Sequence, residues 1–202
     1  RWLEGELHDR AQALATYAWG FSALNIDQGA LAGGQLAITH CAGMFADGTA
    51  FSTPDRDALP APRAILESID DKVGHLNVFL AVPKIVKGSA AYTDAGNVSE
   101  TATTAMLRSR ARVVDTSRPE TDREIATAQL NLSLRIDGQD MAAYRTLPIA
   151  RLKRAAGGGV ELTSDFTPPA TNLVASPLAL SVLRQTSGML SEKWSELSGK
   201  RR

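Results

Sequence analysis

His40 and Cys41 stand side by side, and a thiol next to an imidazole is the raw material of a cysteine nucleophile. Residues 24–45 read as extended, however, and neighbouring side chains on a strand point to opposite faces. The two therefore cannot share the hydrogen bond that activation needs. His8, His40 and His75 are the three histidines, far apart and with no carboxylate at ligand spacing, so no zinc site is expected. Asp70-Asp71 has the form of an acid pair, but beside Lys72 and Gly74, ahead of a strand, it reads as a solvated turn. The clusters Gly33-Gly34 and Gly157-Gly158-Gly159 lack the following Lys-Ser or Lys-Thr of a phosphate loop and read as turns. No G-x-S-x-G occurs. Asn97-Val98-Ser99 and Asn131-Leu132-Ser133 fit the glycosylation sequon, but no secretory leader is visible, so both are read as chance. The residue types thus predict no catalytic, cofactor-binding or metal site, and no enzyme.

Three features stand out instead. Tyr17, Trp19 and Phe21 form an aromatic segment, either a core anchor where a helix meets a sheet or a partner-facing cluster. Leu59-Pro60-Ala61-Pro62 and Phe166-Thr167-Pro168-Pro169 read as structural corners. Toward the C-terminus, Leu180, Leu183, Ser187, Leu190, Trp194 and Leu197 follow one another at steps of 3, 4, 3, 4 and 3. That is the seam of a coiled coil or bundle, widened by Leu178, Val182 and Met189. Its stripe must be buried on the chain's own sheet, on sister chains, or on a downstream part of the protein.

The elements around these features follow from periodicity. Residues 2–17 predict a helix with Leu3, Leu7, Ala11 and Leu14 on one face, ended by Gly20. Asp47-Gly48 between Met44-Phe45 and Phe51 predicts a tight hairpin. Residues 53–63, with Pro54, Pro60 and Pro62, predict an irregular connection. Residues 75–82 predict an apolar strand, 88–105 a loop, 108–115 a strand and 116–124 a charged loop. Leu130, Leu132, Leu134 and Ile136 alternate with polar residues, the mark of a strand with one buried face. Residues 130–136 and 144–152 are expected to pair as a hairpin, followed by a strand from Val160 in an antiparallel meander. Ser176-Pro177 opens a helix to about residue 199, Ser as N-cap and Pro at the first helical position.

The chain has 202 residues, 44% hydrophobic and 22% charged, ordinary values for a globular protein. Lys+Arg and Asp+Glu are both 22, so nothing in the charge favours nucleic acid or an anionic membrane. The single cysteine excludes a disulfide within the chain and suits a reducing compartment. No apolar run approaches the roughly 20 residues that cross a bilayer. The chain opens without methionine and closes inside a helical pattern, so both ends read as cuts in a longer protein.

Six phrases in order make the chain resemble one family. They are Leu14–Phe21 ending in Trp-Gly-Phe, Asp47-Gly48-Thr49, Leu59–Pro62, Leu147–Leu152, Phe166–Pro169 and Ala175–Pro177. Together they resemble the TssK family, also called ImpJ or VasE, of the type VI secretion baseplate. The likeness spans about residues 10–180. It implies a mainly β fold: an antiparallel β-sandwich, like the shoulder of phage receptor-binding proteins, with an N-terminal helix and a C-terminal neck helix. Residues 1–175 would be the shoulder and 176–202 the start of the neck, with the head domain absent. It further implies a homotrimer joined through Leu180, Leu183, Leu190, Trp194 and Leu197. Wedge subunits TssF and TssG would meet the shoulder, and the membrane complex would meet the head. The location would be cytoplasmic, at the inner membrane, without insertion into it. The competing expectation is a phage-type receptor-binding or carbohydrate-binding module. The low aromatic content, 5%, speaks against glycan stacking.

Overall fold

A computed structural model describes residues 2–15, 17–69, 74–86, 88, 90–94, 104–115 and 117–199, with 2–5, 8, 115 and 118–121 described by backbone only. Helix α1 (Trp2–Leu14) leads into strand β1 (Gly20–Ile26), a short helix α2 (Gln28–Ala32), and strands β2 (Gln35–Leu36), β3 (Ile38–Met44), β4 (Ala50–Thr53) and β5 (Arg63–Ala64). Then come β6 (Leu76–Pro83), β7 (Tyr92–Asp94), β8 (Met106–Asp115), β9 (Arg118–Leu130), β10 (Ser133–Ile136), β11 (Tyr144–Arg154) and β12 (Val160–Leu162). Helix α3 (Pro177–Gly199) closes the chain. The architecture is mainly β, as expected, and all strand pairs are antiparallel except β7 with β8.

Two sheets share the core: β1-β3-β4 and β10-β6-β11-β12. Phe21, Phe45 and Phe51 come from the first; their rings lie 5.7 Å (Phe21–Phe51) and 5.1 Å (Phe45–Phe51) apart. Val78, Leu80, Val82, Leu147 and Leu152 come from the second, each with no exposed surface. The Asp47-Gly48 hairpin forms between β3 and β4, with Gly48 at φ 82° and the Asp47 carboxylate accepting from Thr49 N–H at 3.1 Å. Glycine adopts positive φ without the steric cost that a Cβ imposes.

Several expectations are corrected. The first helix stops at Leu14, not near residue 17, and Gly20 opens β1 instead of ending the helix. Its expected apolar face is not buried: Leu7 is 56% and Leu14 90% exposed. Leu130, Leu132, Leu134 and Ile136 are all buried, as expected, yet they do not form one strand. β9 ends at Leu130 and β10 starts at Ser133, because Asn131 turns aside to bond Ala105 and Thr104. Nor does β10 pair with β11. The apolar β6 lies between them, bonded to both, since a strand with two buried faces belongs in mid-sheet. The charged stretch 118–124 is strand, not loop. Of the expected loop at 88–105, Tyr92–Asp94 form strand β7, and residues 89 and 95–103 lie outside the described residues.

One bulge repairs a periodicity. In β11 the pairing with β6 shifts between Pro148 and Ala150. Leu147 before the shift, Ile149 within it, and Ala150 and Leu152 after it are thereby all buried.

Candidate functional site

Among the described residues the chemistry-bearing side chains do not converge. On β3, Cys41 is buried while His40, its neighbour, is half-exposed on the other face. The Cys41 thiol meets the Thr53 hydroxyl at 3.4 Å. Burial pushes its pKa up, against the Thr53 hydrogen bond that lowers it and with a further upward push from the Asp57 charge. A thiol held protonated is a poor nucleophile. His75 lies at the start of β6, and Asp70-Asp71 falls outside the described residues. Among the described residues no three His, Cys, Asp or Glu side chains gather as metal ligands.

The recognisable phrases do converge, on structure. The aromatic segment divides its roles: Phe21 is in the core, Trp19 packs half-buried against it, and Tyr17 is 77% exposed. Phe21 N–H donates to the Pro169 carbonyl at 2.8 Å, and Thr171 N–H donates back to the Phe21 carbonyl at 2.9 Å. The Trp-Gly-Phe phrase and the Phe-Thr-Pro-Pro corner are therefore stitched together across the sequence. Gly20, at φ 126°, permits it: a Cβ there would stand 2.6 Å from the Pro169 oxygen. The Asp47 turn is likewise tied to the start of β11 by its ion pair with Arg145. Sequence reasoning did not see Asp57, a buried carboxylate that accepts from Ser52 N–H at 3.1 Å and Leu130 N–H at 2.9 Å. It pins the proline connection to the end of β9, and nothing in the local sequence distinguishes it from a solvated turn aspartate.

Helix α3 starts as expected. The Ser176 hydroxyl accepts from Ala179 N–H at 3.4 Å, and its carbonyl from Leu180 N–H at 3.0 Å. Beyond Leu180 every residue to Gly199 is exposed. Of the seam, Leu180 is half-buried, Leu183 51%, Leu190 67%, Trp194 74% and Leu197 54% exposed. The stripe is thus not buried on the chain's own sheet. A helix of 23 residues is about 35 Å long, so most of it projects from the body. Among the described residues no helix is long and apolar enough to cross a membrane.

A second projection is the β8–β9 hairpin. One face carries Arg108, Arg110 and Arg112, each facing an acid: Asp94 at 3.9 Å, Glu124 at 3.0 Å and Asp122 at 3.9 Å. The other carries Val113 and Ile125, 44% and 45% exposed.

Comparison with known proteins matches this architecture. The family described as "Bacterial Type VI secretion, VC_A0110, EvfL, ImpJ, VasE" matches residues 1–202. The type VI secretion system baseplate component TssK1 of Pseudomonas aeruginosa is 28% identical over 203 residues, covering 99% of this chain and 44% of that protein. The chain thus spans less than half the length of that relative. A TssK-TssF-TssG baseplate subcomplex solved by cryo-electron microscopy superposes with TM-score 0.87 at 26% identity, over 98% of this chain and 64% of the other. A type VI secretion baseplate complex superposes with TM-score 0.85 at 28% identity, over all of this chain and 44% of the other. A crystal structure of TssK gives TM-score 0.83 at 25% identity, over 98% and 45%. With the family matched from end to end and the fold shared, this chain belongs to the TssK (ImpJ/VasE) family of type VI secretion.

Proposed function

We propose that residues 1–175 are the shoulder of a trimeric baseplate subunit and residues 176–202 the start of its neck. The subunit is an adaptor, not a catalyst. Its shoulder holds the TssF–TssG wedge, and a head beyond this chain meets the membrane complex at the cytoplasmic face of the inner membrane. The observation that carries this reading is the row Leu183, Leu190, Trp194 and Leu197, left in solvent at heptad spacing on a projecting helix. Such a helix is marginal alone and gains its stability from burying the stripe. Three parallel copies side by side would bury it. The likeness to a TssK chain solved together with TssF and TssG supports the wedge contact.

The test is to express the full-length protein with TssF and TssG of the same bacterium and to measure the mass of what co-elutes. The expected result is a complex holding this subunit in multiples of three. A monomer that elutes apart from both wedge proteins overturns the reading.

A further inference from the structure

We propose that the slot between residues 58–64 and residues 130–135 receives a short segment of a baseplate partner, one in which a carboxylate lies close to an apolar side chain. This rests on the adaptor reading above. The two runs line a cavity of about 620 Å³, closed by Pro83, Leu107 and Tyr144. Its long side is set by six successive residues, Leu130 to Arg135.

The slot stays open for a reason found in the sequence. Residues 58–62 carry Pro60 and Pro62, which have no N–H to bond an edge strand. Among the described residues no backbone hydrogen bond joins the two runs, and the Arg63 guanidinium crosses between them to the Leu134 carbonyl at 2.7 Å. β10 is the last strand of its sheet, and that bond shows Leu134 turning its backbone away from β6 and into the slot. The outward groups of that edge are already met, the Leu134 carbonyl by Arg63 and the Ile136 N–H by the Gln139 side-chain oxygen at 3.2 Å, so an occupant is held by side chains and not by adding a strand. Leu130, Leu132 and Leu134 line the slot but are themselves buried in the core, so its apolar contact for a partner is Leu59, 42% exposed at the rim.

Charge defines the rest of the occupant. No acidic residue lines the slot, whereas Arg63 and Arg135 both do. Arg135 lies over the Tyr144 ring, 3.6 Å from its centroid, and donates to the Asp140 carbonyl at 3.3 Å. Among the described residues it has no carboxylate partner. A guanidinium already stacked on an aromatic loses little freedom in gripping a carboxylate with its fork. An apolar side chain against Leu59 and a carboxylate on Arg135 together fix both position and direction of the incoming chain.

The experiment uses the full-length protein and purified TssF–TssG. A photo-crosslinking benzoylphenylalanine replaces Leu59, or Leu162 on β12 as control. Position 59 should cross-link to one short segment with Asp or Glu within a few residues, and position 162 should not. Arg135→Glu and Leu59→Asp should each weaken TssF–TssG binding by about tenfold or more. Arg135→Lys should also lose part of it, because an ammonium neither stacks flat on Tyr144 nor grips a carboxylate with a fork, and reversing the partner's acid to Lys should restore binding to Arg135→Glu. Undiminished binding by both variants, or no cross-link at position 59, overturns the slot while leaving the adaptor reading intact. Failure of the unmodified protein to bind TssF–TssG overturns both.

Discussion

Gly20 and Asp57 show how single residues hold distant parts of this chain together. At φ 126°, and with the Pro169 oxygen 2.6 Å from where a Cβ would stand, Gly20 leaves no room for any other residue. Gly20→Ala should cost at least about 1–3 kcal/mol from backbone strain alone, with further loss from the broken Phe21–Pro169 contact. Denaturant melts of the two proteins check it, and equal midpoints would contradict it. Asp57 accepts from two backbone N–H groups, of Ser52 and Leu130, in a nearly dry site. Asp57→Ala leaves both donors unmet and should cost about 1–3 kcal/mol or more. Asp57→Asn offers one acceptor oxygen and one donor amide, so it can satisfy one donor only and should fall between wild type and Ala. An Asn variant as unstable as Ala would mean that the carboxylate charge, which also lies 3.5 Å from the Arg56 guanidinium, dominates instead. Neither role was readable beforehand. Gly20 looks like a helix stop because its partner, Pro169, is about 150 residues away in the chain. Asp57 looks like any turn aspartate.

Elements were more legible than their pairings. Period two at Leu130–Ile136 correctly gave the buried side of that run, since alternation is a local property. Which strand lies beside it is not local: β6, apolar on both faces, takes the centre and separates β10 from β11. The charged residues 118–124 read as loop because a run of charges shows no apolar alternation, and where side chains are described, at 122–124, they are exposed, with cross-strand pairs such as Arg110–Glu124 along the strand. Helix α3 was legible from its cap and seam. It was also visibly weakened by Gly188, around which a Cβ would meet nothing within 4 Å. Gly188→Ala should therefore stabilise the helix by about 1 kcal/mol without touching the body. Circular dichroism of the chain should show more helical signal that persists to higher temperature. An unchanged signal would mean that the helix is already held fully formed by partners.

At the scale of the whole molecule, the question is what covers the seam of α3. The body offers nothing past Leu180, so the apolar row must be covered by other chains or by more of this one. The heptad spacing selects helices lying side by side, and the wide stripe, with Val182 54% and Met189 64% exposed beside the main row, suits three strands better than two. Ser187 at a seam position loosens the packing there and places the burden on Leu183 above it and on Leu190, Trp194 and Leu197 below. Leu190→Asp and Trp194→Asp each set a charge into that interface, where three copies would face one another. In the full-length protein, light scattering at micromolar concentration should give a trimer for the parent. The double variant should fall to monomer, while the β body, whose core lies elsewhere, keeps its melting transition. A parent that is monomeric, or a double variant that remains trimeric, would show that the seam is covered by something other than its own copies. In that case the downstream part of the same chain would be the occupant to test next, by cross-linking from position 194.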